Sequence, residues 1–340
     1  NVPVLVKFNS TSHPDLFATG DDGDSVWFSS DAGGQTTLYH DCIDFNSTNA
    51  YFYVKTDLSS TADTVIYFWY GQPAITGTKA TASNVYTNGK YIYHFQGNAN
   101  DSMGTQNGTD VSSPSYSTSY GVVGQGVHTN GSSSYIYFGN YIDATLTCTI
   151  LVWYKPDNTT QSWYYYPLTG NWTYGVSTTS LSAIYAPFIP SQVSPSVVVT
   201  SGGNCRISHY PRWNNYGGYW EGSFTPTDWH HYGYKRNGSG NTLGIYFDGS
   251  YRYTSYTGSI STECYYRYVG YAHDNYNSPN DRYTAASYGS VWIFTDNKSA
   301  DWVKSVYENV NAYSTFITID GAVSIGSSPI QVYPVWPTST

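Results

Sequence analysis

Hydrophobic and polar positions alternate along most of the chain in short runs broken by Gly, Pro, Asp and Asn, as in half-buried strands joined by turns. Val2 to Phe8 alternates loosely around Pro3 and reads as an edge strand. The turn cluster Gly20 to Asp24 leads into a strand at Ser25 to Ser29. Ala50 to Thr56 and Thr64 to Tyr70 are β-branched and aromatic runs, the second ended by Gly71-Gln72-Pro73. A Thr-, Ala- and Ser-rich stretch over 74–88 marks a domain boundary. Strands resume at Tyr91 to Phe95, pause over the polar stretch 97–121, and continue at Ser134 to Phe138 and Leu146 to Tyr154. Leu243 to Phe247 runs into Asp248-Gly249, a tight hairpin signal, and Tyr265 to Tyr271 and Ser290 to Phe294 follow. Only Lys298 to Val310 has a helical period, with Ala300, Trp302, Val303, Val306 and Tyr307 on one face. Thr315 to Ile319 is again strand-like, Asp320-Gly321 is a turn, and Pro329 to Val335 is a last short run. The pattern predicts an all-β protein of two β-sandwich or jelly-roll domains, residues 1–86 and 87–312, with a C-terminal tail over 313–340.

Composition narrows the function. Charged residues make up 11 % of the 340-residue chain, against about 25 % in ordinary soluble domains. There are 14 Lys and Arg, and the net charge is -9. So few cations supply no basic patch for phosphates, which excludes nucleic acid and argues against anionic membrane surfaces. Hydrophobic residues at 40 % and aromatics at 18 % exclude a disordered chain. No apolar run reaches the roughly 18 residues of a membrane span.

Nine N-x-S/T triplets begin at Asn9, Asn46, Asn100, Asn107, Asn130, Asn158, Asn171, Asn237 and Asn297. They are either glycan acceptors or chance triplets in a Ser/Thr-rich surface. Cys42, Cys148, Cys205 and Cys264 have no C-x-x-C spacing, so neither a zinc knuckle nor a redox pair is indicated. They allow three disulfide pairings, Cys205 with Cys264 if the second domain closes its own bridge, or four buried thiols. The start at Asn1 without Met points to a processed, extracellular chain.

Candidate chemistry is sparse. Glycoside hydrolysis needs two carboxyl groups across the scissile bond, and the chain has three Glu: Glu221, Glu263 and Glu308. Glu221 sits alone in an aromatic setting, so no hydrolase is expected. His94, and His230-His231 after Trp229, read as core positions, and no G-x-S-x-G motif is present. Gly121 to Gly126 lacks the Lys-Ser/Thr of a phosphate loop. Asp21, Asp22 and Asp24 crowd one turn without the spacing of a calcium loop, so Asp22 and Asp24 are weak calcium ligands at most, and nothing in the spacing selects Asp101 or Asp274. No cofactor or other metal is indicated. The aromatic loops around Trp163, Trp172, Trp213, Tyr219 and Trp220 can stack on sugars, form a subunit contact or fill the core.

Several segments in order resemble a laminin-G-like, concanavalin A-like lectin domain over residues 87–312: Tyr93-His94-Phe95 with Asn100-Asp101-Ser102, Gly121 to Gly126, Thr149 to Pro156, Trp229 to Tyr232, Ile245 to Gly249, and Ser299 to Asn309. Pro3 to Phe8, Asp22 to Phe28, and Tyr53-Val54 with Ile66 to Gly71 resemble a small β domain of unknown function that precedes such modules in archaeal and bacterial surface proteins. Members of that family open with one further strand, so the resemblance implies a first domain lacking its opening strand.

The tail offers a replacement: Phe316, Ile317, Thr318 and Ile319, followed later by Val332. An open sheet edge is a template for pairing, and a tail docking on the next copy would propagate head to tail. The expected function is therefore a non-enzymatic, glycosylated extracellular subunit, a homopolymer assembling by strand complementation into a surface filament or coat of a cell or virion. The alternative is a monomeric carbohydrate-binding or adhesin module with the tail folded back on its own domain.

Overall fold

The computed structural model describes residues 1–20, 23, 25–71, 80–144, 147–157, 196–199, 205–209, 218–225, 227–237, 242–254, 264–272, 282–319 and 330–334. The fold is all-β and separates into two compact units, one formed by Asn1–Thr87 with Lys304–Thr340, the other by Asn88–Val303. Among the described residues no helix is long and apolar enough to cross a membrane.

The first unit begins with β1 (Val2–Asn9), a short helix α1 (Pro14–Ala18), β2 (Trp27–Ser29), β3 (Thr37–Leu38), β4 (His40–Phe45), β5 (Asn49–Thr56), β6 (Ile66–Trp69) and the one-turn α2 (Ala82–Val85). One sheet has the order β1-β5-β4, with Val2 opposite Thr56 and Phe8 opposite Ala50. Pro3 is tolerated because β1 lies at the edge of this sheet, where the missing N–H costs no ladder bond. Phe8, Phe28, Phe52 and Phe68 are buried together, Phe8 stacked on Phe68 at 4.5 Å.

The second unit runs from β7 (Gly89–Tyr93) through β8 (Thr109–Val111), β9 (Ser115–Ser117), β10 (Gly126–Asn130), β11 (Tyr135–Ala144) and β12 (Cys148–Pro156). It continues with β13 (Ser196–Val199), β14 (Cys205–His209), β15 (Gly218–Gly222), β16 (His230–Asn237), β17 (Thr242–Phe247) and β18 (Ser250–Thr254). It ends with β19 (Cys264–Val269), β20 (Tyr271–Ala272), β21 (Arg282–Tyr283) and β22 (Ala285–Phe294). The large sheet has the order β18-β17-β16-β12-β22-β10-β9, with β7 beside β22. A second sheet is ordered β19-β11-β8. Ile136, Phe138 and Val269 from the second sheet bury against Val152, Tyr154, Tyr232, Tyr288 and Val291 from the first, which makes the unit a two-layer sandwich. β12 and β22 are buried along nearly their whole length, hence their continuous apolar and aromatic runs. β8 and β9 fall in the polar stretch 97–121, where no strand was expected; three residues each, mostly Thr, Ser and Asp, carry too little apolar pattern to read.

The helix predicted near 298–310 is α3 (Ala300–Asn311), followed by α4 (Tyr313–Phe316), β23 (Ile317–Ile319) and β24 (Ile330–Pro334). These return to the first unit. The outer edge of β1 is closed by side chains: Leu5 N–H donates to Asn309 Oδ1, Asn309 Nδ2 donates to Leu5 O at 3.3 Å, and Lys7 N–H donates to Tyr313 Oη at 2.8 Å. Asn309 and Tyr313 thus stand in for a neighbouring strand. β24 pairs with β6, and β23 pairs with β24, giving the sheet β23-β24-β6-β2-β3. Phe316 and Ile317 are buried in the first unit's core. The tail therefore completes its own first unit. The strand beside β6 is the one carrying Val332, whereas Phe316 ends a helix and Ile317 to Ile319 form the strand outside it.

Cys42 and Cys148 are not in disulfides. Cys42 is half-buried in the first unit, while Cys148 lies in the core of the second. Cys205 and Cys264 lie on β14 and β19, their side chains outside the described residues.

Candidate functional site: an outer face of tyrosines

Strand alternation in β11 sends Ile136 and Phe138 into the core and turns Tyr135 and Tyr137 to the opposite face of the sheet. On β19, Val269 faces the core beside Ile136, and Tyr268 sits directly opposite Tyr137. Tyr137 and Tyr268 stack across the strands at 5.4 Å and 24°. Beyond Val269 the chain turns at Gly270, whose φ is +82°. A Cβ at Gly270 would lie 2.5 Å from Thr129 Cγ2, so only glycine allows this turn. The turn brings Tyr271 onto the tyrosine side, where it stacks on Tyr135 at 4.6 Å and meets Tyr268 edge-on at 4.9 Å. Tyr283 on β21 joins at 5.1 Å from Tyr271. Tyr271 is 9 % exposed, and the other four rings are half-buried.

Five rings on a face that the core does not need make an amphipathic platform. Their planes offer apolar surface, and phenol hydroxyls both donate and accept hydrogen bonds. The signal was present in the sequence as Ser134-Tyr135-Ile136-Tyr137-Phe138, tyrosines at i and i+2 opposite apolar residues. What brings Tyr271 and Tyr283 to them is the glycine turn and the β20-β21 pairing, both set by the fold.

The residues singled out earlier fall elsewhere. Trp163, Trp172 and Trp213 lie outside the described residues, and of Tyr219 only the backbone on β15 is described. Trp220 is half-buried against Phe247 at 5.2 Å and Phe224 at 6.0 Å, with the Arg252 guanidinium 5.0 Å above its ring, so its indole packs at the rim of the core. Asp22 and Asp24 lie outside the described residues, as do Asp274 and Glu263. Glu221 lies on β15 opposite Arg206, and Glu308 is half-buried on α3. Among the described residues no three His, Cys, Asp or Glu side chains converge on a common point.

Asp101 is buried and holds its own loop. Its Oδ1 accepts from the N–H groups of Ile92 at 2.8 Å and Met103 at 3.0 Å. Its Oδ2 accepts from the Thr105 N–H and hydroxyl and the Gln106 N–H. Five donors saturate this carboxylate, so it is a loop lock.

Asp248, at φ +48° before Gly249 at +70°, locks the β17–β18 hairpin to β16. Its Oδ2 lies 2.8 Å from His230 Nδ1, and its Oδ1 accepts the His231 N–H at 2.9 Å. Burial opposes a charge on His230, but Asp248 outweighs it and the pKa is raised. His231 is wholly buried, and desolvation pushes its pKa down to about 4 against the weaker pull of Asp248. His94 is buried edge-on to Trp292 at 6.0 Å.

Among the described sequon asparagines, Asn9, Asn46, Asn100, Asn107 and Asn130 are exposed, and Asn237 and Asn297 are half-buried. Asn9, Asn46 and Asn130 organise tight turns, each accepting backbone N–H groups on Oδ1. Asn158 and Asn171 lie outside the described residues.

No family profile matches the chain, and no curated protein matches it. Among solved structures it is similar to domain 4 of AbnA, a GH43 extracellular arabinanase from Geobacillus stearothermophilus in complex with arabinotriose. That likeness has 15 % identity and a TM-score of 0.43 over 65 % of this chain and 98 % of that one. It is also similar to the binding domain of botulinum neurotoxin DC in complex with rat synaptotagmin II, at 9 % identity and TM-score 0.45 over 69 % of this chain and 54 % of that one. The botulinum neurotoxin serotype D binding domain gives 11 % identity and TM-score 0.45 over 71 % of this chain. The chain spans 55 % of that serotype D domain, about half its length.

Proposed function

We propose that this protein is a non-enzymatic extracellular binding module, a lectin-like sandwich of the laminin-G type, that holds carbohydrate on its outer tyrosine face. The observation that carries the reading is the five-ring cluster Tyr135, Tyr137, Tyr268, Tyr271 and Tyr283 on the side of the sheet away from the core. A sugar ring presents apolar C–H groups on its faces and hydroxyls at its rim. Tyrosine planes and hydroxyls match both. The scarcity of Lys and Arg supports a neutral ligand over an anionic one.

The test is retention on a glycan array by the wild type and by Tyr135→Ala with Tyr268→Ala. Two rings at about 1 kcal/mol each predict a loss of roughly thirtyfold in affinity. Far-ultraviolet circular dichroism should be unchanged, because neither ring enters the core. A wild type that no carbohydrate retains overturns the reading.

A structural subunit of a surface filament or coat, joined head to tail, is the second reading. Its basis is that β24 pairs with β6 within one chain, as the monomeric module requires, through backbone ladder bonds that another copy's C-terminal segment could equally make. Negative-stain microscopy of concentrated protein tests it: regular filaments support it, and discrete single-chain particles remove it.

A further inference from the structure

The sheet β23-β24-β6-β2-β3 is discontinuous in an informative way. β6 and β24 are adjacent in space, yet the whole second unit lies between them in sequence. Their register is Ile330 opposite Phe68, Gln331 opposite Tyr67 and Val332 opposite Ile66. On its other side β24 pairs with β23 through Ile317 with Pro334, Thr318 with Tyr333 and Ile319 with Val332. β23 is anchored: it follows Phe316 directly, and Phe316 and Ile317 are buried in the first unit's core. β24 reaches β23 only through residues 320–329. Ten residues extend to about 33 Å.

The two edges of the first unit are treated differently. The β1 edge is closed by Asn309 and Tyr313, side chains that sit before β23 and stay with their own copy. The slot between β6 and β23 is closed by backbone pairing to β24. Removing β24 leaves both of its neighbours, β6 and β23, with open ladders. That slot is identical in every copy, and its ladder bonds do not depend on which copy supplies the strand.

We infer that β24 is an exchangeable strand, and that its partner in trans is a second copy of this chain, in which it fills the slot between β6 and β23. Donor segment and acceptor slot are different surfaces, so the contact is heterologous: each copy gives one strand and receives one. Repetition builds an open chain of copies unless the rotation closes a ring. Pairing within one copy does not depend on protein concentration, whereas pairing with another copy does. Exchange therefore rises with concentration, and dilute protein is the closed monomer. This inference rests on the head-to-tail reading above and is independent of carbohydrate binding, since no residue of the tyrosine face takes part.

Disulfide trapping reads the exchange directly. One copy carries Tyr67→Cys and a second, of different tagged mass, carries Gln331→Cys, the pair that face each other across the ladder. The two are refolded together at rising concentration and mildly oxidised, and each variant alone sets the background from the native cysteines. The expected result is a crosslinked heterodimer, at least tenfold above either variant alone and increasing with concentration. A chain bearing both substitutions should then give a ladder of multimers besides its internal bridge.

Should the cysteine variants fail to fold, sedimentation of the wild type against Val332→Pro, which removes a ladder N–H from the middle of β24, reads the same property. Concentration-dependent oligomers in the wild type and monomer in the variant support exchange. An internal bridge alone in the double variant, with no heterodimer in the mixture, overturns it, as does a wild type that is monomeric throughout. Tyr135→Ala with Tyr268→Ala should assemble as the wild type does, so failure of either proposal is visible without the other.

Discussion

Acid should destabilise the sandwich unit through His231. Its ring lies on β16 against Trp153 at 4.9 Å, wholly buried, and burial pushes its pKa down to about 4. In the unfolded chain the same imidazole titrates near 6.5. A group whose folded pKa is depressed contributes stability that is present above the unfolded value and lost as pH falls toward the folded one. Between pH 7 and pH 4.5 the unfolded chain binds nearly one proton more at this site. Integrating over that interval gives a loss of about 2 kcal/mol.

For a unit of this size that corresponds to a fall in Tm of roughly 5–10 °C. His230 works in the opposite direction. Its pKa is raised, so its contribution is present below pH 6.5 and lost as pH rises through the folded value, and it offsets part of the loss. Calorimetry of the wild type and His231→Phe at pH 7 and pH 4.5 isolates the term, because all other carboxylates and histidines are common to both. Phe keeps a ring against Trp153 and cannot take up a proton. The variant should lose about 2 kcal/mol less than the wild type over the interval. Equal acid sensitivity of the two proteins would refute the buried neutral state of His231.

Three further outcomes follow from named contacts. Asn309→Ala leaves Leu5 N–H and O without their side-chain partner at the β1 edge; urea titration should show the first unit's transition weakened by about 1–3 kcal/mol with the second unit's unmoved. Gly270→Ala must place a Cβ 2.5 Å from Thr129 at a left-handed φ; the sandwich should lose about 2 kcal/mol or more in Tm-based stability, and near-ultraviolet circular dichroism should report the disturbed tyrosine cluster. If the exposed sequons carry glycans, native protein treated with peptide-N-glycosidase should show deamidation by mass spectrometry at Asn9, Asn46, Asn100, Asn107 and Asn130; unmodified Asn at these five and at Asn158, Asn171, Asn237 and Asn297 removes the glycoprotein reading.

Sequence by itself determined the class of fold. Period-two alternation, β-branched and aromatic runs and Gly or Asp-Gly breaks are local properties, so β5, β12, β17 and β22, the hairpin at Asp248-Gly249 and the single long helix α3 were legible. Charge scarcity likewise argues against phosphate-rich partners without any structure.

What tertiary structure alone decided was which distant segments meet. β8 and β9 are strands only because a neighbouring ladder receives them. In sequence Trp220 is open to sugar stacking, a subunit contact or the core, and the structure packs its ring against Phe224, Phe247 and Arg252. Tyr135 and Tyr137 show their common face in sequence, but Tyr268, Tyr271 and Tyr283 join them through cross-strand register and one glycine turn. The tail was readable as a strand in search of a sheet. That Val332 rather than Ile317 lies beside β6 was not, because backbone pairing is indifferent to sequence, and the anchoring of Phe316 and Ile317 in the core settles which strand is left to reach the slot.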